Sequence, residues 1–321
     1  MLTVWGASSA STGAVAKFVN HPSKAMKTFL TTLSLFIVTI SYAQTFKVAA
    51  LHPLIGDLAR QVGGQRVEVV DMLKPGGDIH HFEPTARDLQ SMKGSVLILA
   101  SGKHLESYLD NLRDSVGSVP VVEVGRTIPS IKMQPGSELF MCCPAHSAGG
   151  IDPHWWHSAE NMQRAAKVIA DEFIKIDPAG KDSYKANADA ARAKLAALKT
   201  WAQQQISLIP RGDRKLVTGH AAFSYFCKEF GFKSIPILGL GREDEASAQY
   251  VAQAVQMIRE NNIRAAFAED QANPKILKEI VRETGVKLGK DLVADGTSPE
   301  AHTFEAMLKH NVEAIVAALK P

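Results

Sequence analysis

The chain is expected to fold as two α/β lobes, each a mostly parallel sheet flanked by helices, joined by one long rigid helix. Three observations lead there. Short apolar runs alternate with helical patterns from residue 46 to 124, the alternation restarts after Pro210, and Lys181 to Leu208 between them is alanine-rich with no glycine or proline. Strands alternating with helices give parallel sheets covered by helices on their faces. The chain has 321 residues, 45% of them hydrophobic and 21% charged, an ordinary globular composition with length enough for two cores.

At the start, Lys27, the apolar Phe29 to Ile40 and the small residues of Ser41-Tyr42-Ala43 read as a secretory signal cleaved after Ala43. Residues 1–25 look like an over-long start, since Met26-Lys27 would itself begin a conventional signal. The apolar run is shorter than the roughly 20 residues of a membrane span. No cysteine follows it to take a lipid, so a periplasmic protein without stable membrane insertion is expected. Residues 1–43 carry Lys17, Lys24 and Lys27 and no acidic residue, so taking these three from the formal +3 leaves zero. A neutral balance argues against a nucleic-acid partner.

From Thr45 the expected order is a strand at Phe46 to Leu51, a helix at Leu54 to Val62, a strand at Val67 to Val70 and a loop holding His80. Thr85 with Asp88 three residues on resembles a capping box opening a helix through Met92. A strand at Val96 to Ala100, a helix from about His104 to Leu112 and a strand near Val121 to Val124 follow. Pro129 to Gly150, rich in Gly, Pro and Ser, reads as a loop, and Ala159 to Ile174 as a helix ended by Asp177-Pro178. At 1.5 Å per residue the helix Lys181 to Leu208 would span about 40 Å, a strut between lobes. Then come the strand Leu216 to Thr218, the helix Ala221 to Phe230, the strand Ser234 to Leu238 and the helix Ser247 to Asn261. The strand Ala265 to Phe267, the helix Pro274 to Thr284, a short strand Leu292 to Ala294 and the helix Phe304 to Leu319 complete the chain. The resulting division is a leader at 1–43, a first lobe at 44–180, a linking helix at 181–208 and a second lobe at 209–321.

Cys142, Cys143 and Cys227 all survive processing, and an odd count leaves at least one thiol free or intermolecular. No C-x-x-C spacing supports a thiolate metal site. The chain also lacks a Walker loop, an H-E-x-x-H helix and a G-x-S-x-G elbow, and Gly239-Leu240-Gly241 lacks the third glycine of a dinucleotide fingerprint.

The residues with chemistry to offer sit at strand ends, where α/β sheets bind ligands. His80 follows Gly76-Gly77-Asp78-Ile79, His154 lies in Asp152-Pro153-His154-Trp155-Trp156, His220 in Gly219-His220-Ala221-Ala222-Phe223, and Asp295 ends Val293-Ala294-Asp295. Taken singly, each has an ordinary explanation: a solvated loop histidine, a helix cap, a core imidazole, a turn residue. Their joint order and spacing resemble the zinc- and manganese-binding receptors of bacterial ABC importers, members of the helical-backbone metal receptor superfamily, over essentially all of residues 45–321. Glu245-Ala246-Ser247-Ala248, Phe267-Ala268-Glu269 and Asn311 agree with the same resemblance.

The resemblance implies that His80 and His154 from the first lobe and His220 and Asp295 from the second hold one metal in the cleft. It implies further that the protein is a monomer delivering that metal to an ABC transporter membrane permease. Three imidazoles and a carboxylate suit Zn²⁺, with Mn²⁺ the alternative, and a closed shell of four protein ligands leaves no position for an activated water. Two departures matter. The histidine- and acid-rich loop of many zinc-specific relatives is reduced here to His146, and His220 stands where manganese-preferring relatives often carry a carboxylate. His81 competes with His80 for the first position, and Glu269 is either an acceptor orienting a ligand imidazole or a charge at the start of the next helix. His52, His104, His157, His302 and His310 are assigned to surface or core duty. The alternative is a secreted metal-dependent hydrolase, built on the D-x-H pairs Asp78/His80 and Asp152/His154 with Glu269 as base.

Overall fold

The computed structural model describes residues 45–132, 150–237, 248–269 and 274–321. The leader, the Cys142/Cys143/His146 stretch and Glu245 lie outside these residues. Two four-stranded parallel sheets form the two lobes. The first has strands β1 (Phe46–Ala50), β2 (Val67–Asp71), β3 (Ser95–Ala100) and β4 (Val121–Glu123), in the order β2-β1-β3-β4. The second has β5 (Lys215–Thr218), β6 (Lys233–Pro236), β7 (Ala265–Phe267) and β8 (Lys287–Leu288), in the order β6-β5-β7-β8. Each sheet therefore reverses direction beside its first strand, and such a reversal opens a crevice at the carboxyl ends of the strands.

Helices α1 (Pro53–Gly63), α2 (Ala86–Ser91) and α3 (Leu109–Val116) accompany the first sheet, and α6 (Ser224–Phe230), α7 (Ala248–Glu260) and α8 (Lys275–Thr284) the second. The expected capping box is present: Thr85 Oγ1 accepts from Asp88 N, and Asp88 Oδ2 accepts from Thr85 N. Helix α4 (Ala159–Ile176) is opened by Ser158, whose Oγ accepts from Asn161 N, and the turn Pro178–Gly180 leads into α5 (Lys181–Ile206).

Helix α5 buries Tyr184, Ala188, Ala191, Leu195, Leu198, Ala202 and Ile206, steps of three or four residues that draw one apolar stripe. Its alanines let α4 lie close on one side, while α1 and the last helix α9 (Phe304–Leu319) also pack against it. The main core runs through all four helices: Leu54, Leu58, Phe173, Leu195, Phe304 and Ile315 belong to one buried cluster with Phe223 and Phe226 of the second lobe. The strut is thus also a shared wall of the core.

Three boundaries differ from expectation. The helix expected from about His104 starts at Leu109, because Gly102, Lys103 and His104 all take positive φ (79°, 58° and 63°). Those backbone angles turn the chain away from a helix, and the Glu106 carboxylate accepts the N–H groups of Ser101 and Gly102 released there. Helix α6 begins at Ser224 rather than Ala221. The strand expected at Leu292 to Ala294 is reduced to one bridge, Leu292 to Glu269, and the fourth strand is β8 instead. The reason is competition for the backbone: Asn311 takes both the N–H and the carbonyl of Val293, at 2.9 and 2.8 Å.

Candidate metal centre

The first loop, between β2 and α2, is shaped by a turn in which Gly77 N donates to Lys74 O. Asp78 Oδ1 then accepts from the N–H of His80 at 2.9 Å and of His81 at 3.2 Å. This short-range bond sends the two rings different ways. His80 turns inward, whereas the His81 ring is exposed with Nδ1 on Asp78 Oδ2 at 3.0 Å.

Asp152 repeats the device two residues before His154, accepting from His154 N at 2.9 Å, and adds a contact from the same Oδ1 to the ring Nδ1 at 2.8 Å. Both side chains are fully buried. In the second lobe β5 pairs with β7 so that Thr218 lies opposite Phe267, and His220 and Glu269 each follow two residues beyond that pair. Glu269 Oε1 accepts from His220 N at 3.0 Å and Oε2 is hydrogen-bonded to His220 Nδ1. A carboxylate on Nδ1 directs the Nε2 lone pair of the opposite side toward a metal, the usual support of a ligating imidazole. Glu269 is therefore the orienting acceptor of the two roles considered for it. Asp152 plays the same part for His154, which the D-x-H spacing hinted at without giving its purpose.

These elements bring all four expected residues together. The Nε2 atoms of His80 and His220 each lie 3.4 Å from Asp295 Oδ1, and that of His154 lies 3.7 Å away. His80 and His154 approach to 3.2 Å through their Nε2 atoms, and one potential ligand atom from each of the four residues falls within 4.8 Å of the rest. Bonds of about 2.0–2.1 Å in a tetrahedral zinc site imply ligand separations of about 3.3–3.4 Å, so the observed spacings are the right size for a cation at the centre.

The charges agree. Burial alone would raise the Asp295 carboxyl, yet His220 and His80 hold it well below the usual carboxylate range. Burial likewise opposes charge on His220, but Glu269 and Asp295 overcome it and raise the ring to about 10. The pocket therefore demands positive charge, which a divalent metal would supply.

Other histidines fall into place. His52, fully buried, caps α1 by accepting from Leu54 N at Nδ1, and burial first of all lowers its pKa to about 3. His157 is core, as expected, but it is not inert: with Trp156 it reaches the backbone beside Asp295. The sequence carried no signal for that contact. Cys227 is a buried thiol pushed up to about 12 by burial and takes no part in the cluster.

Four converging ligand groups on two α/β lobes backed by a long helix define a metal-binding receptor. Residues 48–318 match the family described as zinc-uptake complex component A, periplasmic (ZnuA), and the chain belongs to that family. It is 32% identical over 278 residues to the iron-binding protein YfeA of Yersinia pestis, spanning 85% of this chain and 86% of that one. It is 30% identical over 286 residues to the manganese-binding lipoprotein MntA of Bacillus subtilis (strain 168), spanning 86% of this chain and 90% of that one. The periplasmic zinc binding protein TroA from Treponema pallidum has a similar structure, with a TM-score of 0.75 and 25% identity, covering 86% of this chain and 100% of that chain. The protein is thus a periplasmic metal-binding component of ABC metal import, and members of its family are solute-binding transport proteins rather than enzymes. The hydrolase alternative is accordingly set aside. Glu269, its supposed base, spends both oxygens on His220.

Proposed function

We propose that the protein binds one divalent transition metal, zinc in preference to manganese, through His80, His154, His220 and Asp295, and delivers it to an ABC permease. The convergence of three Nε2 atoms on Asp295 Oδ1 carries this reading. Similar proteins are described as binding iron, manganese and zinc, so kinship does not select the metal. The donor set supports zinc: imidazole-rich sites favour Zn²⁺ over Mn²⁺ in intrinsic affinity, and a shell closed by protein suits capture without catalysis. In this reading the mature monomer starts near Gln44, with lobes at 44–180 and 209–321 joined by 181–208.

Elemental analysis of protein purified without added metal, followed by thermal titration with Zn²⁺ and Mn²⁺, tests the proposal. Binding to the folded state alone adds RT ln(1 + [L]/Kd), about 4 kcal/mol at a thousandfold excess over Kd. Zinc should raise the melting temperature more than manganese, and His80→Ala, His154→Ala, His220→Ala or Asp295→Ala should nearly remove the shift. His81→Ala and His104→Ala should leave it in place. An undiminished zinc shift in His220→Ala would refute the four-ligand assignment.

A further inference from the structure

We propose that Trp156 and His157 are positioning residues for Asp295, so that the segment carrying one ligand, His154, also sets the place of another on the opposite lobe. This role presupposes the metal-binding reading above. The carbonyl of Ala294, the residue before Asp295, accepts from Trp156 Nε1 at 3.0 Å and from His157 Nε2 at 2.7 Å. Both donors belong to the 3-10 turn Trp155–His157 that follows His154 directly. A carbonyl oxygen has two lone pairs, and two donors from different side chains fix both the position and the tilt of its peptide plane. That plane ends at the α-carbon of Asp295.

Packing by itself does not account for an imidazole at position 157. The ring is completely buried and lies against Phe223, with ring centroids 4.5 Å apart. An apolar side chain of similar size would fill such a space without the cost of burying polar atoms. Its Nδ1 has no hydrogen-bond partner among the described residues, so the one use made of its polarity is the bond to Ala294. Burial, and then the neighbouring His154, lower its pKa to about 3, so the ring is neutral and its single proton is the one given to that carbonyl.

The rest of the Asp295 segment is held to the same end. Asn311 occupies the backbone of Val293, which detaches the chain from the sheet one residue before the Trp156/His157 pair grips it. Beyond Asp295 the chain turns at Gly296, where φ is +126° and a Cβ would come within 2.8 Å of Pro53 Cγ. Asp295 is thereby aimed at the His154 ring by contacts that need no metal, and the spacing of these two ligands from opposite lobes is set before the ion arrives. A ligand held this way binds without the cost of ordering it first.

Zn²⁺ affinity measured by chelator competition and the visible ligand-field spectrum of bound Co²⁺ test the role. His157→Leu should weaken zinc about ten- to hundredfold, the usual effect of losing an outer partner of a metal ligand, and should alter the cobalt spectrum. His157→Gln, which returns an N–H donor to the same place, should recover both toward the wild type. Trp156→Phe removes the other donor and should shift both readouts in the same direction, which keeps the test open if His157→Leu does not fold. Wild-type affinity and spectrum in His157→Leu overturn the inference, as does a His157→Gln protein no better than His157→Leu, since the ring would then act only by its bulk. Failure of the wild type itself to bind either metal overturns the metal-binding reading and this role together.

Discussion

Glu269 stands beside His220 because each follows one of the paired strands β5 and β7, two residues beyond their last pair. Val217 lies opposite Ala266 and Thr218 opposite Phe267, and two residues later the carboxylate meets both the backbone N–H and the ring of the histidine. Exchanging it for an amide should be more harmful than its size suggests. In Glu269→Gln the carbonyl oxygen can still accept the His220 N–H, which turns the amide NH₂ toward Nδ1. That donor favours the tautomer with its proton on Nε2, which cannot ligate. Zinc affinity should fall about 10- to 100-fold, as for other outer partners of metal ligands. Competition titration reads the loss, and an unchanged affinity removes Glu269 from the site.

Release of the metal should produce small local shifts instead of a wide hinge opening. One buried cluster runs from α1 through α4 and α5 into α9 and the aromatic residues of α6, so separating the lobes would break a core. Hydrogen bonds add to it: Gly76 N donates to Thr297 O at 2.8 Å and Phe304 N to the side-chain Oδ2 of Asp57 at 3.0 Å. Packed cores of this kind shift between discrete arrangements and do not stretch. Small-angle scattering of metal-free and zinc-loaded protein should give the same radius of gyration within error; a large difference contradicts the shared-wall account of α5.

Tyr225 provides a test of the join at the other side of the site. Its hydroxyl, carried by α6, donates to Asp152 O at 3.1 Å and accepts from Ile131 N at 3.0 Å. Tyr225→Phe keeps the ring and takes away the hydroxyl that accepts the Ile131 N–H and donates to Asp152 O. Orphaning a buried group costs about 1–3 kcal/mol, so urea unfolding of the metal-free variant should show a loss in that range. A loss near zero means that water replaces the hydroxyl.

The four clustered residues were legible in the sequence because each comes with its own local signature, a D-x-H pair, a G-H after a strand, an aspartate before a glycine. Their partners were legible only in part. Asp152 lies two residues from the ring it serves, but Glu269 depends on the register of two strands far apart in the chain, which no local pattern encodes. Trp156 and His157 were hidden for the same reason, since their acceptor, Ala294, is remote in sequence. The late start of α3 had a different cause. Positive φ at Lys103 and His104 contradicts ordinary preferences for side-chain-bearing residues, and the Glu106 carboxylate that takes up the freed N–H groups comes after the turn it stabilises.

That same carboxylate gives the fold a pH dependence separate from the metal. Glu106 accepts from Ser101 N at 2.6 Å and Gly102 N at 2.9 Å. Burial nevertheless pushes its pKa up from 4.5 to about 7, the two N–H groups only partly offsetting it and Glu123 adding to the rise. A carboxyl whose folded pKa lies above its unfolded value contributes stability that is complete below the unfolded pKa and is lost as pH climbs through the folded one. For a shift of this size the loss between about pH 5 and about pH 8 is on the order of 2–3 kcal/mol. Glu106→Gln cannot ionise, and its amide keeps an acceptor for only one of the two N–H groups, the NH₂ facing the other. It should be less stable than the wild type near pH 5, and the deficit should shrink by about 2–3 kcal/mol by pH 8, because only the wild type loses stability by ionising. His52 and His157, with pKa values lowered to about 3, destabilise the fold as pH falls below the histidine range, but they do so equally in both proteins. The difference between the two denaturation curves, measured without metal, therefore isolates Glu106. A deficit that stays constant or widens between pH 5 and pH 8 would show that the ionised carboxylate is needed to hold the turn after β3.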